Sequence, residues 1–155
     1  MMIKCFDKIS KFINCEEGDI VEKLNLFKSS IKDEYLISQI DLLLSDNEFI
    51  NNFNNEEKVI IHDDLNVNNI LYDEKKLSFV DFSGLKKYTK SMQVVSFIAL
   101  YYLCEDREIN IVNFVNKIDS KLDINQINKL ILFRLIKAYY YVSNNYDYRI
   151  NTIYN

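Results

Sequence analysis

The chain has no proline and only two glycines, Gly18 and Gly84. With so few breakers, long helices are expected, and the turns between them fall to Asn, Asp and Ser. Histidine is equally scarce, His62 being the single one. The cysteines (Cys5, Cys15, Cys104) are odd in number, widely spaced and free of any CxxC pair. That excludes a disulfide framework and a zinc site, and it points to reduced thiols in a cytoplasmic protein. Long hydrophobic runs are missing as well. The longest, over 94–104, is broken by Ser96 and too short to span a bilayer. The N-terminus alternates polar with apolar residues and has no secretory h-region. No membrane partner is therefore expected. Excess positive charge is also lacking: 19 Lys and Arg stand against 23 Asp and Glu, a net charge of −4. A nucleic-acid partner is not expected on that balance, whereas a cationic small substrate is compatible with it.

What remains is a globular composition, 48% hydrophobic and 27% charged over 155 residues, enough for one domain with its own core. Apolar residues recur at helical spacing over 3–13, 21–27 and 33–44, and 47–55 suits a short helix and a loop. The period then changes. Val59, Ile60 and Ile61 form a continuous β-branched run, the mark of a short buried strand. Residues 70–72 and 77–80 flank the polar turn Asp73-Glu74-Lys75-Lys76, which has the form of a hairpin. After Gly84 a return to helix for the rest of the chain is expected, over 93–103, 109–118 and 123–146. The fold class expected is α+β and mostly helical, a single domain over 1–155. It divides into leading helices (1–57), a small β insertion (58–84) and trailing helices (85–155).

The chemistry concentrates in 59–71, VIIHDDLNVNNIL, which reads His62-x-Asp64-x-x-x-x-Asn69 and is followed after the hairpin by Asp81-Phe82-Ser83-Gly84. A five-residue step lets a loop leave one strand and point two side chains into one cleft, and the hairpin returns the chain so that Asp81 faces Asn69. Phosphoryl transfer asks for little more: one carboxylate to take the proton of the attacking hydroxyl, and hard oxygen ligands for magnesium. Turn-capping by Asp and Asn is the plain alternative, but it accounts for neither the step nor the later Asp-Phe pair.

His62, Asp64, Leu65, Asn69, Ile70, Leu71, Asp81 and Phe82 together resemble the catalytic core of the aminoglycoside phosphotransferase and choline kinase group, whose members carry H-G-D-L-H-P-G-N-I-L and then I-D-F/W. The resemblance implies a kinase-like C-terminal lobe in which a small hairpin carries the catalytic and metal-binding loops. It implies Asp64 as catalytic base, Asn69 and Asp81 as ligands of Mg²⁺ and of the ATP or GTP cosubstrate, and His62 as a structural support of the loop. The acceptor implied is a small-molecule hydroxyl.

Several positions depart from the family pattern. Asp63 replaces a glycine, bringing a second negative charge beside Asp64 that can raise its neighbour's pKa or recruit a cation. Asn66-Val67-Asn68 replaces H-P-G, and Ser83 stands where glycine often follows the Asp-Phe pair. The family's bracing aspartate near the next helix start has no counterpart in 90–94, where Gln93 is the candidate substitute. Nothing before residue 59 reads as the sheet, Gly-rich loop and lysine of a nucleotide-covering N-terminal lobe. Three possibilities stay open: a phosphotransferase that is a fragment of a longer kinase or takes its missing lobe from a partner protein or a homo-oligomer, an inactive kinase-like remnant serving as an interaction module, or a helical scaffold.

Overall fold

The computed structural model describes residues 19–63, 67–73, 76–82, 85–104, 110–119 and 121–153. Three helices come first: α1 (Ile20–Ser30), α2 (Glu34–Ser45) and α3 (Asn47–Asn55). Strands β1 (Lys58–His62), β2 (Ile70–Asp73), β3 (Lys76–Phe79) and β4 (Leu85–Thr89) follow, and then helices α4 (Lys90–Cys104), α5 (Ile111–Ile118) and α6 (Ile124–Ile153). The protein is thus α+β and mostly helical. The helix expected over 3–13 lies outside the described residues. Among the described residues, no helix is long and apolar enough to cross a membrane.

The helix starts follow from the acid-and-amide turn chemistry. Asp19, Asp33 and Asp46 each hold the N-cap of α1, α2 and α3, accepting from the backbone N–H of Val21, Leu36 and Phe49. Asn110 does the same for α5 through Asn113. Such caps satisfy backbone donors that a helix leaves open at its start. Between the caps, the apolar stripes meet in one cluster that includes Leu24, Phe27, Ile40, Phe49, Phe53, Ile98, Leu130 and Phe133. Phe27 and Tyr140 pack as tilted rings 4.8 Å apart, so that tyrosine packs between helices, whereas Tyr139 and Tyr141 are exposed.

The β region differs from the expected single hairpin. β2 and β3 form the hairpin, registered Ile70↔Phe79 to Asp73↔Lys76. β1 finds its own partner in β4, antiparallel from Lys58↔Thr89 to His62↔Leu85. The expected return to helix directly after Gly84 is therefore corrected, since Leu85–Thr89 is a strand and helix resumes only at Lys90. Its sequence, LKKYT, lacks a β-branched run, and two adjacent lysines favour helix locally. The tertiary demand overrides that preference, because the backbone groups of the half-buried β1 need a ladder. Tyr88 and Thr89 of β4 are buried, and Ile61 of β1 is fully so.

Candidate functional site

Both connections that carry the motif open at the same end of the two sheets. β1 ends and β4 begins at the His62↔Leu85 pair, and β2 begins and β3 ends at Ile70↔Phe79. One more bond draws them together: Val80 N–H donates to the carbonyl of Asn69 at 3.1 Å, extending the hairpin ladder one step beyond its strands. Asn69, at the end of a short 3₁₀ turn (Val67–Asn69), is thereby fixed beside the segment that leads into Asp81. Asn69 is buried and Asp81 exposed.

Asp81 is the single non-glycine residue with positive φ among the described residues, at 57°. Aspartate tolerates the left-handed region better than most side chains but still bears a cost, and such conformations gather at functional sites.

His62 ties this segment to the sheet. It is fully buried, and its ring Nε2 donates to the Val80 carbonyl at 3.2 Å, which places the ring proton on that nitrogen. Its backbone N–H donates to Gln93 Oε1 at 3.0 Å. The side chain of α4 named as a substitute brace thus holds the end of β1, immediately before the loop. Gln93 is positioned in turn by a capped helix start, where the Glu56 carboxylate accepts both the N–H and the hydroxyl of Ser91, each at 2.6 Å.

Asp64, the expected catalytic base, lies outside the described residues. Of the sequence-predicted residues, His62 and Asn69 both bond Val80, the residue before Asp81. Among the described residues no three His, Cys, Asp or Glu side chains form a metal cage. The oxygen donors on this segment are the Asp81 carboxylate and the Asn69 amide. Both are hard-oxygen groups, the type magnesium takes while it retains several waters.

The residue that organises the loop entrance is Asp63, whose side chain is 7% exposed. Its carboxylate meets Lys137 Nζ in a very short contact, Lys86 Nζ at 3.0 Å, Ser96 Oγ at 3.3 Å and Arg134 Nε at 3.8 Å. Its backbone carbonyl accepts from Arg134 Nη2 at 2.8 Å. Burial alone would raise this carboxyl, but Lys137, Arg134 and Lys86 outweigh it and hold it well below the usual carboxylate range. Burial pulls Lys137 down to about 8, with Asp63 opposing. The extra acid therefore recruits cations from the protein itself, on β4 and α6.

Sequence reasoning passed over this cluster. Arg134 falls within the apolar stripe of α6 at helical spacing with Leu130 and Ile131, and Lys137 lies one turn on. A cation inside an apolar stripe is the signal that would have found them, because a buried cation needs an acid.

No protein-family model and no curated protein matches the chain.

Proposed function

We propose that this chain is the catalytic-loop portion of a magnesium-dependent phosphotransferase, moving the γ-phosphate of ATP or GTP to the hydroxyl of a small molecule. The single observation that carries it is the junction at Val80–Asp81. There the Asn69 carbonyl and the His62 ring grip Val80 from two sides, and the next residue takes a left-handed conformation. A backbone held at a cost beside a carboxylate, one residue past the ladder partner of Asn69, suits a ligand site better than a turn made for chain reversal.

In that chemistry the acceptor oxygen bonds to the γ-phosphorus. The bond from that phosphorus to the β–γ bridging oxygen breaks, and the nucleoside diphosphate leaves with the electron pair. The hydroxyl proton passes to Asp64. Asn69 and Asp81 would hold the magnesium ion, which when bound neutralises polyphosphate charge. His62 and Gln93 hold the loops in place. Tyr72 and Leu77, partners across the hairpin, are both exposed, an apolar spot suited to cover by a nucleotide-binding lobe from a partner or a second copy.

The test is retention of Mn²⁺ by the chain in the presence of ATP, followed by electron paramagnetic resonance, for the wild type and for Asp81→Gly. Binding by the wild type and its loss in the variant are expected. Equal retention by both, or none by either, would sink the assignment.

A second assignment, a non-catalytic kinase-like lobe serving as an interaction module, is favoured by one observation. Among the described residues before Lys58, every element is helical, so no strand-borne lysine stands over the cleft. Magnesium-dependent turnover by the purified chain alone rules it out.

A further inference from the structure

The geometry points to Asp63, Arg134 and Lys137 as an internal brace that positions the loop 64–69 by clamping the residue before it to the long helix α6. The inference rests on the phosphotransferase assignment and adds positioning residues to it. In the resembled family, the corresponding loop position is glycine and an aspartate near the following helix does the bracing. Here the charges are reversed in placement: the acid sits on the loop, and the cations sit on a helix and a strand.

Three observations support a clamp over a mere core ion pair. Arg134 grips the main chain of Asp63 through its carbonyl at 2.8 Å, and the carbonyl of the residue before a loop sets the direction of the peptide that follows. The carboxylate is held from three separate elements, by Lys86 of β4, Ser96 of α4 and Lys137 of α6. A side chain with contacts on three sides cannot swing without breaking several bonds at once. Finally, the neighbouring residue His62 is independently fixed to Gln93 and Val80, so two consecutive residues are pinned before the loop begins. Outer partners of this kind govern how well ligating residues are aimed, and their removal commonly costs about 10–100-fold in metal affinity.

The experiment compares the wild-type chain with Arg134→Met, Lys137→Met and Lys137→Arg. It reads peptide-resolved hydrogen exchange without metal and the Mn²⁺·ATP dissociation constant. Arg134→Met removes the main-chain grip. Lys137→Met leaves Asp63 with Arg134 and Lys86, so it decides the matter if Arg134→Met does not fold. The expected result is faster exchange confined to peptides covering 60–72, with α2 and α3 unchanged. Mn²⁺·ATP binding should weaken by about tenfold in both Met variants and recover partly in Lys137→Arg. A uniform rise in exchange, or Met variants that bind Mn²⁺·ATP as tightly as the wild type, would reduce the cluster to a structural ion pair and overturn the brace. A wild-type chain that binds no Mn²⁺·ATP instead removes the phosphotransferase assignment, and the brace with it.

Discussion

Arg134 Nη2 donates to the backbone carbonyl of Asp63 at 2.8 Å, and one turn further along the same helix Lys137 meets the Asp63 carboxylate. A buried carboxylate that faces three cations cannot be neutralised without stranding them. Asp63→Asn should therefore destabilise the fold by about 3–5 kcal/mol, the cost of leaving a buried charge unpaired. Removing both charges, as in Asp63→Asn with Lys137→Met, should recover a large part of that loss. Urea denaturation followed by far-ultraviolet circular dichroism separates the cases. A double variant no more stable than Asp63→Asn would show that the pairing is energetically idle.

The same cluster sets an acid dependence. Because the folded carboxyl of Asp63 lies well below its unfolded value, the unfolded chain takes up the proton first as acid is added. Its stabilisation is complete above roughly pH 4, the unfolded pKa, and is lost as pH falls toward the folded value. Lys137 slopes in the same direction at the alkaline end, because its folded pKa is lowered too. Pulled down to about 8, it loses its proton first in the folded chain, so its contribution rises from there toward roughly pH 10. Urea midpoints measured between pH 2 and pH 5 should fall more steeply for the wild type than for the double variant. Parallel curves would contradict the assignment of the acid slope to Asp63.

Much of this architecture is legible in the chain, and the exceptions have physical causes. The helical stripes and the 70–72/77–80 hairpin follow from period and turn chemistry, because local patterning dominates there. The strand Leu85–Thr89 does not, since its lysines speak for helix and only the need to pair β1 decides otherwise. The candidate site is legible to the extent that it lies in a linear motif: His62 and Asn69 both bond Val80, next to Asp81. Arg134 and Lys137 reach Asp63 across 71 and 74 residues, and no local pattern announces a partner at that separation.

Glu56 and Gln93 form a relay from helix start to loop. Glu56 accepts both donors of Ser91 at the first turn of α4, and Gln93, two residues on, holds the His62 N–H. Glu56→Ala should cost about 1–2 kcal/mol as a lost cap, and fraying of that turn should also shift the His62 ring resonances. Gln93→Leu should cost about 1–3 kcal/mol by leaving a buried N–H unsatisfied. Proton–nitrogen spectra of the single histidine report both variants without crowding. Unchanged ring resonances in Glu56→Ala would break the relay.

Asp81 allows stability and ligand binding to be driven in opposite directions. At φ 57° a Cβ crowds the following carbonyl, a strain of about 1–2 kcal/mol per residue that glycine escapes. Asp81→Ala keeps the Cβ and loses the carboxylate, so it bears the strain with nothing in return. Asp81→Gly loses the carboxylate and the strain together, although its freer unfolded chain gives back part of the gain. Asp81→Gly should therefore be more stable than Asp81→Ala by about 1 kcal/mol, while both lose the retention of Mn²⁺ with ATP. Equilibrium unfolding ranks the pair, and paramagnetic resonance reads the metal. An alanine variant as stable as glycine would show that the left-handed backbone relaxes and stores nothing. A glycine variant that still holds Mn²⁺·ATP would place the ligand elsewhere, because only the side chain has been removed while the loop keeps its path.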